Sequence, residues 1–257
     1  MPTLDPSVWA LIALAALLAG FIDSAVGGGG MVIVPTLFTA LPNTLPATIL
    51  GTNKLSAIGG TGMAAIQFAR SIPVQWRLVL PAMAAAFVMA GLGAYSVSYV
   101  PVQAFKKALP PLLVVLLIYT VFNKQLGQVA KTQTRQTIAA AMLFGGVCGY
   151  YDGVFGPGTG SFLVLLWVRV YGMDFMNASA HAKLVNVACN TGSLIWFSLN
   201  VPIFLTLGAM MLVCNIAGAY IGAKTTLKYG NGFVRVLLIV VVFALICRTS
   251  YDAYFSA

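Results

Sequence analysis

Residues 20–41 read GFIDSAVGGGGMVIVPTLFTAL, and residues 149–171 read GYYDGVFGPGTGSFLVLLWVRVY. In each, an aspartate (Asp23 or Asp152) stands four residues before a glycine-rich interruption, Gly27-Gly28-Gly29-Gly30 or Gly156-Pro157-Gly158-Thr159-Gly160. An apolar run follows each interruption, over 31–41 and 161–171. Eleven helical residues reach only about 16 Å, roughly half of a hydrocarbon core of about 30 Å. Glycine frees the backbone and proline removes a donor, so both stretches break a helix. Irregular backbone at membrane depth is tolerated only where it is buried in protein or lines a cavity.

The membrane context comes from the rest of the chain. Of 257 residues, 60% are hydrophobic and 7% charged, against about 25% charged in a soluble domain. Five aspartates (Asp5, Asp23, Asp152, Asp174, Asp252) and 14 basic residues cannot furnish a water-facing surface for a chain of this size. The net charge of +9 sits mostly in short gaps between apolar runs, which argues against a nucleic-acid partner and for the lipid bilayer. The apolar segments are 8–26, 31–41, 47–68, 78–100, 104–122, 138–155, 161–171, 175–197, 203–223 and 232–248. The first basic residue is Lys54, so no basic leader of a cleavable signal peptide is expected. Cys148, Cys189, Cys214 and Cys247 fall inside apolar segments without a Cys-x-x-Cys pair and read as buried packing residues.

The two breaks belong to a longer repeat. Asp152 lies 129 residues after Asp23, and Lys183 lies 129 after Lys54. The same shift, without a gap, pairs Gly20 with Gly149, Gly27 with Gly156, Gly29 with Gly158, Phe68 with Phe197 and Gly93 with Gly222. Matches of aspartate and lysine carry the weight, because both are scarce here. The halves, 1–129 and 130–257, read as a duplication integrated into a single transmembrane domain, and interrupted helices at corresponding positions point to a transporter binding site.

Charge distribution selects the relation between the halves. With an odd number of crossings per repeat, Arg70, Arg77, Lys124, Lys131, Arg135, Arg169, Lys224, Lys228 and Arg235 share one side, against Lys106, Lys107 and Arg248 on the other. An even number splits the same residues evenly. The positive-inside rule favours the odd count, which makes the repeats inverted, the 123–137 linker cytoplasmic and both termini external. The predicted fold is all-α, a polytopic helical membrane protein of two inverted repeats, each with a glycine-broken short helix pair plus three spanning helices.

Lys54 and Lys183 sit well inside segments 47–68 and 175–197. A lysine at a helix centre costs about 2.5–3.5 kcal/mol on insertion scales, and such residues face the bundle interior and mark a pathway. Asp23 and Asp152 are proton carriers, counter-ions for the lysines, or partners for loose backbone N–H groups at the breaks. With all four ionised the site is neutral, so anion selectivity would rest on backbone N–H groups at the half-helix starts, near Met31 and Ser161. Asn53, Asn186 and Asn190 are fitted to an oxyanion or to another helix, and Thr159 and Ser161 are hydroxyl donors. His181, the single histidine, is aligned with Thr52 and so breaks the symmetry; it reads as a packing imidazole or as a substrate or proton contact. Gly218-x-x-x-Gly222 suits close helix packing and equally a homodimer. No Gly-Lys-Ser/Thr phosphate loop, metal-ligand cluster, cofactor motif or nucleophile–histidine–acid set is present in either repeat.

At AGFIDSAVGGGGMVIVP, GTNKLSA, GYYDGVFGPGTGSF and ASAHAKLVN the sequence resembles the TauE/SafE sulfite-exporter family, also called the toluene-sulfonate uptake permease family. The resemblance covers nearly the whole chain. It implies a bacterial plasma-membrane secondary carrier of small sulfur-containing or related organic anions, such as sulfite, sulfoacetate or sulfonates. It points to Asp23, Gly27, Gly28, Gly29, Gly30, Asn53 and Lys54, and to Asp152, Gly156, Gly158, Ser161, His181, Lys183 and Asn186. The expected function is secondary active transport of a small anion between the two glycine breaks, with Asp23, Asp152 or His181 as proton-coupling groups. The alternative is an intramembrane enzyme or a non-transporting membrane subunit, for which His181 would be the one asymmetric candidate.

Overall fold

The structure, a computed structural model, describes residues 5–122 and 137–229 together with seven positions between 239 and 251. Most of segment 232–248 and nearly all of the 123–137 linker, with Lys124, Lys131, Arg135, Arg235, Arg248 and Asp252, lie outside the described residues. Nine helices and no strand occur among the described residues: α1 (Pro6–Val26), α2 (Gly30–Ala40), α3 (Pro46–Ser71), α4 (Trp76–Val97), α5 (Val102–Phe122), α6 (Ile138–Val154), α7 (Thr159–Tyr171), α8 (Phe175–Asn200) and α9 (Leu205–Tyr229). The starts of α7, α8 and α9 follow those of α2, α3 and α4 by 129 residues each.

Helices α1, α4 and α9 are long and apolar enough to cross a membrane. At 26 residues each, α3 and α8 extend about 39 Å and are the longest, although they carry the lysines. Their exposed neighbours are apolar: Leu80, Val88 and Leu92 on α4, Leu143 and Val147 on α6, and Val213 and Ile221 on α9 all face outward. Lys54, Lys183, Asn53, Asn186, Asn190 and Asn215 are buried. Polar inside and apolar outside is the distribution of a multi-pass membrane protein, since exposed apolar faces on this scale need lipid.

The halves interlock. Helix α1 packs along α9 and, in the equivalent way, α6 along α4. The close approaches that allow this use small residues: a Cβ added at Gly218 would lie 1.9 Å from the Leu17 carbonyl oxygen, and one at Gly222 would lie 2.3 Å from that of Phe21. The Gly218-x-x-x-Gly222 face is therefore filled by α1 of the same chain. The start of α8 lies beside the end of α3, where the Gln75 N–H meets His181, and the start of α3 lies beside the end of α8, where the Phe204 N–H meets Thr52. Equivalent helices thus run antiparallel, the inverted arrangement. Midway between those contacts, Asn190 Nδ2 donates to Thr61 Oγ1 at 3.2 Å. These two residues are 129 apart, so the pseudo-twofold axis passes between them.

The arrangement collects charge at one end. Gln67 near the end of α3 reaches the Tyr220 carbonyl near the end of α9, so the exposed Arg70, Arg77, Lys224 and Lys228 stand together with Arg169, which precedes α8. Lys106 and Lys107 begin α5 at the other end of α4. Among the thiols, Cys148 and Cys189 are buried as expected, whereas Cys214, on α9, is half-buried and Cys247 is exposed among the described residues.

Helix α8 has a built start. Asp174 caps it, its carboxylate accepting from the N–H groups of Met176 and Asn177 at 2.9 and 3.0 Å and from the Asn177 side chain. Partial burial opposes the charge, but these hydrogen bonds outweigh it and hold the carboxyl below its ordinary value. The folded value is the lower one, so the contribution is present above about pH 4 and fades as pH falls through the depressed value. Asp174→Ala should cost about 1 kcal/mol at neutral pH, while Asp174→Asn, also a good cap, should cost less. Thermal unfolding of the purified protein at pH 7 and pH 3 checks this; an alanine deficit that persists undiminished at acid pH would remove the capping explanation.

Candidate functional site

The two glycine breaks touch one another at the centre of the bundle. Gly27 and Gly156 have φ of +76° and +83°, left-handed values open to glycine without a Cβ penalty, and they end α1 and the turn after α6. A Cβ on Gly27 would lie 2.3 Å from the Gly160 carbonyl carbon, and one on Gly30 would lie 3.0 Å from Pro157 Cα. The Ser161 N–H donates to the Gly27 carbonyl at 3.3 Å. Loops that would be polar wounds in lipid are thereby sealed against each other.

Each lysine finds its counter-ion in the other half. Lys54 Nζ of α3 donates to Asp152 Oδ2 of α6 and, at 3.0 Å, to Asn190 Oδ1 of α8. Lys183 Nζ of α8 donates to the Asp23 carbonyl oxygen of α1 and, at 3.1 Å, to Asp23 Oδ2. The first pair is sealed, its side chains 2% and 3% exposed, while Asp23 in the second is 18% exposed. An ammonium has three N–H donors, and each lysine spends two on these partners. With two carboxylates and two ammoniums the centre is formally neutral.

A cavity of about 40 Å³ opens between the breaks. About 10–15 Å³ on this measure accommodates one water, so there is room for about three, or for an ion of a few heavy atoms. Of the residues expected in the site, Asp23, Gly29, Gly30, Asn53, Lys54, Asp152 and Asn186 line it. Asn190, Thr61 and Asn215 line it as well. Asn53 and Asn186 are buried with their Oδ1 atoms unpartnered. Asn215 and Thr61 were not legible as site residues; the available signal for Asn215 is that it is the lone carboxamide within the apolar helix α9.

Several expected roles are taken up elsewhere. Gly28 and Gly158 do not line the cavity, and Gly158 is occupied by packing against Met31 and Leu116. Thr159 Oγ1 donates to the Gly156 carbonyl at 2.9 Å, beside the Asp152 carboxylate, and Ser161 Oγ to the Val26 carbonyl at 2.6 Å, so both hydroxyls are engaged within the protein. The Met31 N–H is likewise bonded to Gly28 and that of Ser161 to Gly27, which corrects the expectation that those two amides are open to an anion. The amides with no backbone acceptor among the described residues lie just before, at Gly28, Gly29 and Gly30 in the first break and at Gly158 and Gly160 in the second, as the first turn of a helix requires. Lys183 stands behind Asp23 rather than on the cavity wall.

His181 also lies off the cavity, beside the Trp167 ring. Its Nε2 accepts from the Gln75 N–H at 3.0 Å and its Nδ1 faces the Asn177 carbonyl at 2.7 Å. That network assigns the proton to Nδ1. Thr52, its repeat counterpart, does the same work: Oγ1 donates to the Thr48 carbonyl at 2.8 Å and accepts from the Phe204 N–H at 3.0 Å. All four partners correspond under the 129-residue shift. The sequence asymmetry at this position therefore conceals chemical symmetry, and a second proton on the imidazole would set N–H against the Gln75 N–H.

His181→Thr should accordingly retain the tie and most of the stability. His181→Phe leaves the Gln75 N–H and Asn177 carbonyl unmet and should cost about 1–3 kcal/mol. Thermal unfolding of the two variants side by side measures the difference; equal losses would mean that the ring packs without bonding.

A family model described as sulfite exporter TauE/SafE matches residues 12–249. The chain is 34% identical over 250 residues to the "Probable membrane transporter protein YfcA" of Escherichia coli strain K12, covering 97% of this chain and 92% of that one. It is 34% identical over 244 residues to a "Probable membrane transporter protein" of Haemophilus influenzae, covering 95% and 94%. To the "Probable membrane transporter protein YdhB" of Bacillus subtilis it is 27% identical over 221 residues, covering 84% and 89%. No solved structure gives a significant match. An all-helical, multi-pass chain with a family match across 12–249 belongs to the TauE/SafE sulfite exporter family.

Proposed function

We propose that the protein is a secondary active transporter of a small anion, a sulfur oxyanion such as sulfite or a small organosulfonate such as sulfoacetate, bound in the cavity between the glycine breaks. The observation that carries this reading is the pair of crossed Lys–Asp contacts beside that cavity, at the crossing of two inverted halves. The family's description, sulfite exporter, and the relatives' printed names, probable membrane transporters, fit it.

An anion has three sources of attraction there: the uncommitted N–H of Lys54, the carboxamides of Asn53, Asn186 and Asn190, and the free amides at Gly29 and Gly30. A proton on Asp23 or Asp152 would leave the centre with a net positive charge and favour the anion, which makes proton coupling the natural partner of transport. Asp23 is the better exposed of the two. In a bacterial plasma membrane, which the family membership supports, the positive-inside rule puts the Arg70, Arg77, Lys224 and Lys228 end in the cytoplasm and both termini outside. The enzyme alternative loses its asymmetric base, since both nitrogens of His181 are bonded to backbone groups.

The crossed pairs shape the test. Lys54→Gln alone strands Asp152 in a buried place, where breaking a pair costs about 3–5 kcal/mol. Lys54→Gln combined with Asp152→Asn removes both charges and should recover most of that stability while sulfite flux into proteoliposomes stays below a tenth of wild type. Lys183→Gln should also lose flux. Wild-type flux in the double variant would reject the site.

Coupling has a separate signature. Asp23→Asn mimics a permanently protonated group, so sulfite binding should be kept or strengthened and flux should become insensitive to an imposed pH gradient. Full pH sensitivity in this variant would assign the proton elsewhere.

A further inference from the structure

Gene duplication supplies every position twice, and the cavity wall keeps Asp23 with Asp152 and Gly27 with Gly156, yet its carboxamides are not twofold. Its four asparagines face non-asparagine counterparts under the 129-residue shift: Asn53 against Ala182, Asn186 against Ala57, Asn190 against Thr61, and Asn215 against Ala86. The last substitution comes with a compensating one. A Cβ added at Gly60 would lie 1.7 Å from Asn215 Oδ1, so the carboxamide occupies the space a side chain at position 60 would need. The counterpart of Gly60 is Cys189, which packs in the same apolar cluster as Ala86. One of the two equivalent cross-half contacts, α3 against α9, thus carries glycine with asparagine, and the other, α8 against α4, carries cysteine with alanine. The backbone packing at the two places is otherwise alike: a Cβ on Gly20 would meet the Asn215 carbonyl oxygen at 2.1 Å, and one on Gly149 would meet that of Ala86 at 2.4 Å.

Packing alone does not require an amide at Asn215, since alanine performs that role in the other half. Asn215 is 5% exposed and lines the cavity, and among the described residues its carboxamide is not one of the sealed, partnerless polar groups, so its polar atoms open on the cavity. A buried carboxamide left unpaired is costly unless a ligand or water meets it. The geometry points to Asn215 as a specificity-determining residue of the anion site, its carboxamide hydrogen-bonding to the bound oxyanion from α9 while Gly60 keeps its place open. This rests on the anion-transport reading above and adds a contact that no symmetric site would have. The ligand is then held in one orientation between unlike walls, and a donor aimed at one oxygen discriminates among anions by shape and protonation.

The test uses the full chain in proteoliposomes with sulfite and sulfate as probes, and Lys54→Gln/Asp152→Asn as reference. Asn215→Ala installs the residue already present at the equivalent position and so should fold. It should raise the KM for sulfite about tenfold, leave maximal flux within twofold, and change the sulfite-to-sulfate preference at least fivefold. Asn215→Asp is isosteric but anionic, and should abolish sulfite binding in titrations of purified protein at neutral pH. An unchanged KM and preference in Asn215→Ala, or wild-type sulfite binding by Asn215→Asp, while the reference variant is inactive, overturns the assignment of Asn215 alone. Wild-type behaviour of the reference variant as well overturns the anion-transport reading with it.

Discussion

Two ammonium groups in the middle of a membrane protein have to be neutralised, and the rest of the structure is arranged around how that is done. Lys54 meets Asp152 and Lys183 meets Asp23, each across the boundary between the halves. Neither lysine is paired within its own half. The packing of α1 on α9 and α6 on α4 brings the aspartates of one half to the lysines of the other. The glycine breaks follow from the same demand: the aspartates end helices that must stop at mid-depth, and the freed backbone is sealed by contact between Gly27 and Gly160.

Twofold symmetry gives such a molecule two equivalent conformations facing opposite sides, which suits alternating access. A twofold cavity on the axis would nevertheless bind an asymmetric ligand in two orientations. Among the side chains that reach the cavity, Asp23 and Asp152 keep the symmetry, whereas Asn53, Asn186, Asn190 and Asn215 are opposed by alanine or threonine. It keeps symmetry where backbone is held, as in the ties made by Thr52 and His181. Scaffold and site have thus diverged separately within one duplication.

The fold class, the helix boundaries and the inverted relation were legible because each has a strong one-dimensional signal: apolar length, glycine punctuation and a fixed offset between rare charged residues. The helix starts at Gly30, Pro46 and Trp76 recur at Thr159, Phe175 and Leu205. Side-chain destinations were less legible. Ser161 and Thr159 have the chemistry of ligand donors, yet they lie within reach of the Val26 and Gly156 carbonyls, and a nearby carbonyl wins over a distant ligand. His181 differs from Thr52 in every chemical table but shares its hydrogen-bond pattern, which only the placement of Gln75 and Phe204 reveals. Asn215 was invisible because it sits alone in an apolar helix, and its significance lies in the space left by Gly60, far away in sequence.

On the proposed function, the two halves build one anion site and not two. Selenite, a heavier relative of sulfite, allows this to be seen directly by anomalous diffraction from crystals of the protein grown with it. One selenium peak is expected, in the cavity bounded by Gly29, Asn53, Lys54 and Asn215. Two peaks related by the pseudo-twofold axis, or a single peak outside the contact between the glycine breaks, would contradict it.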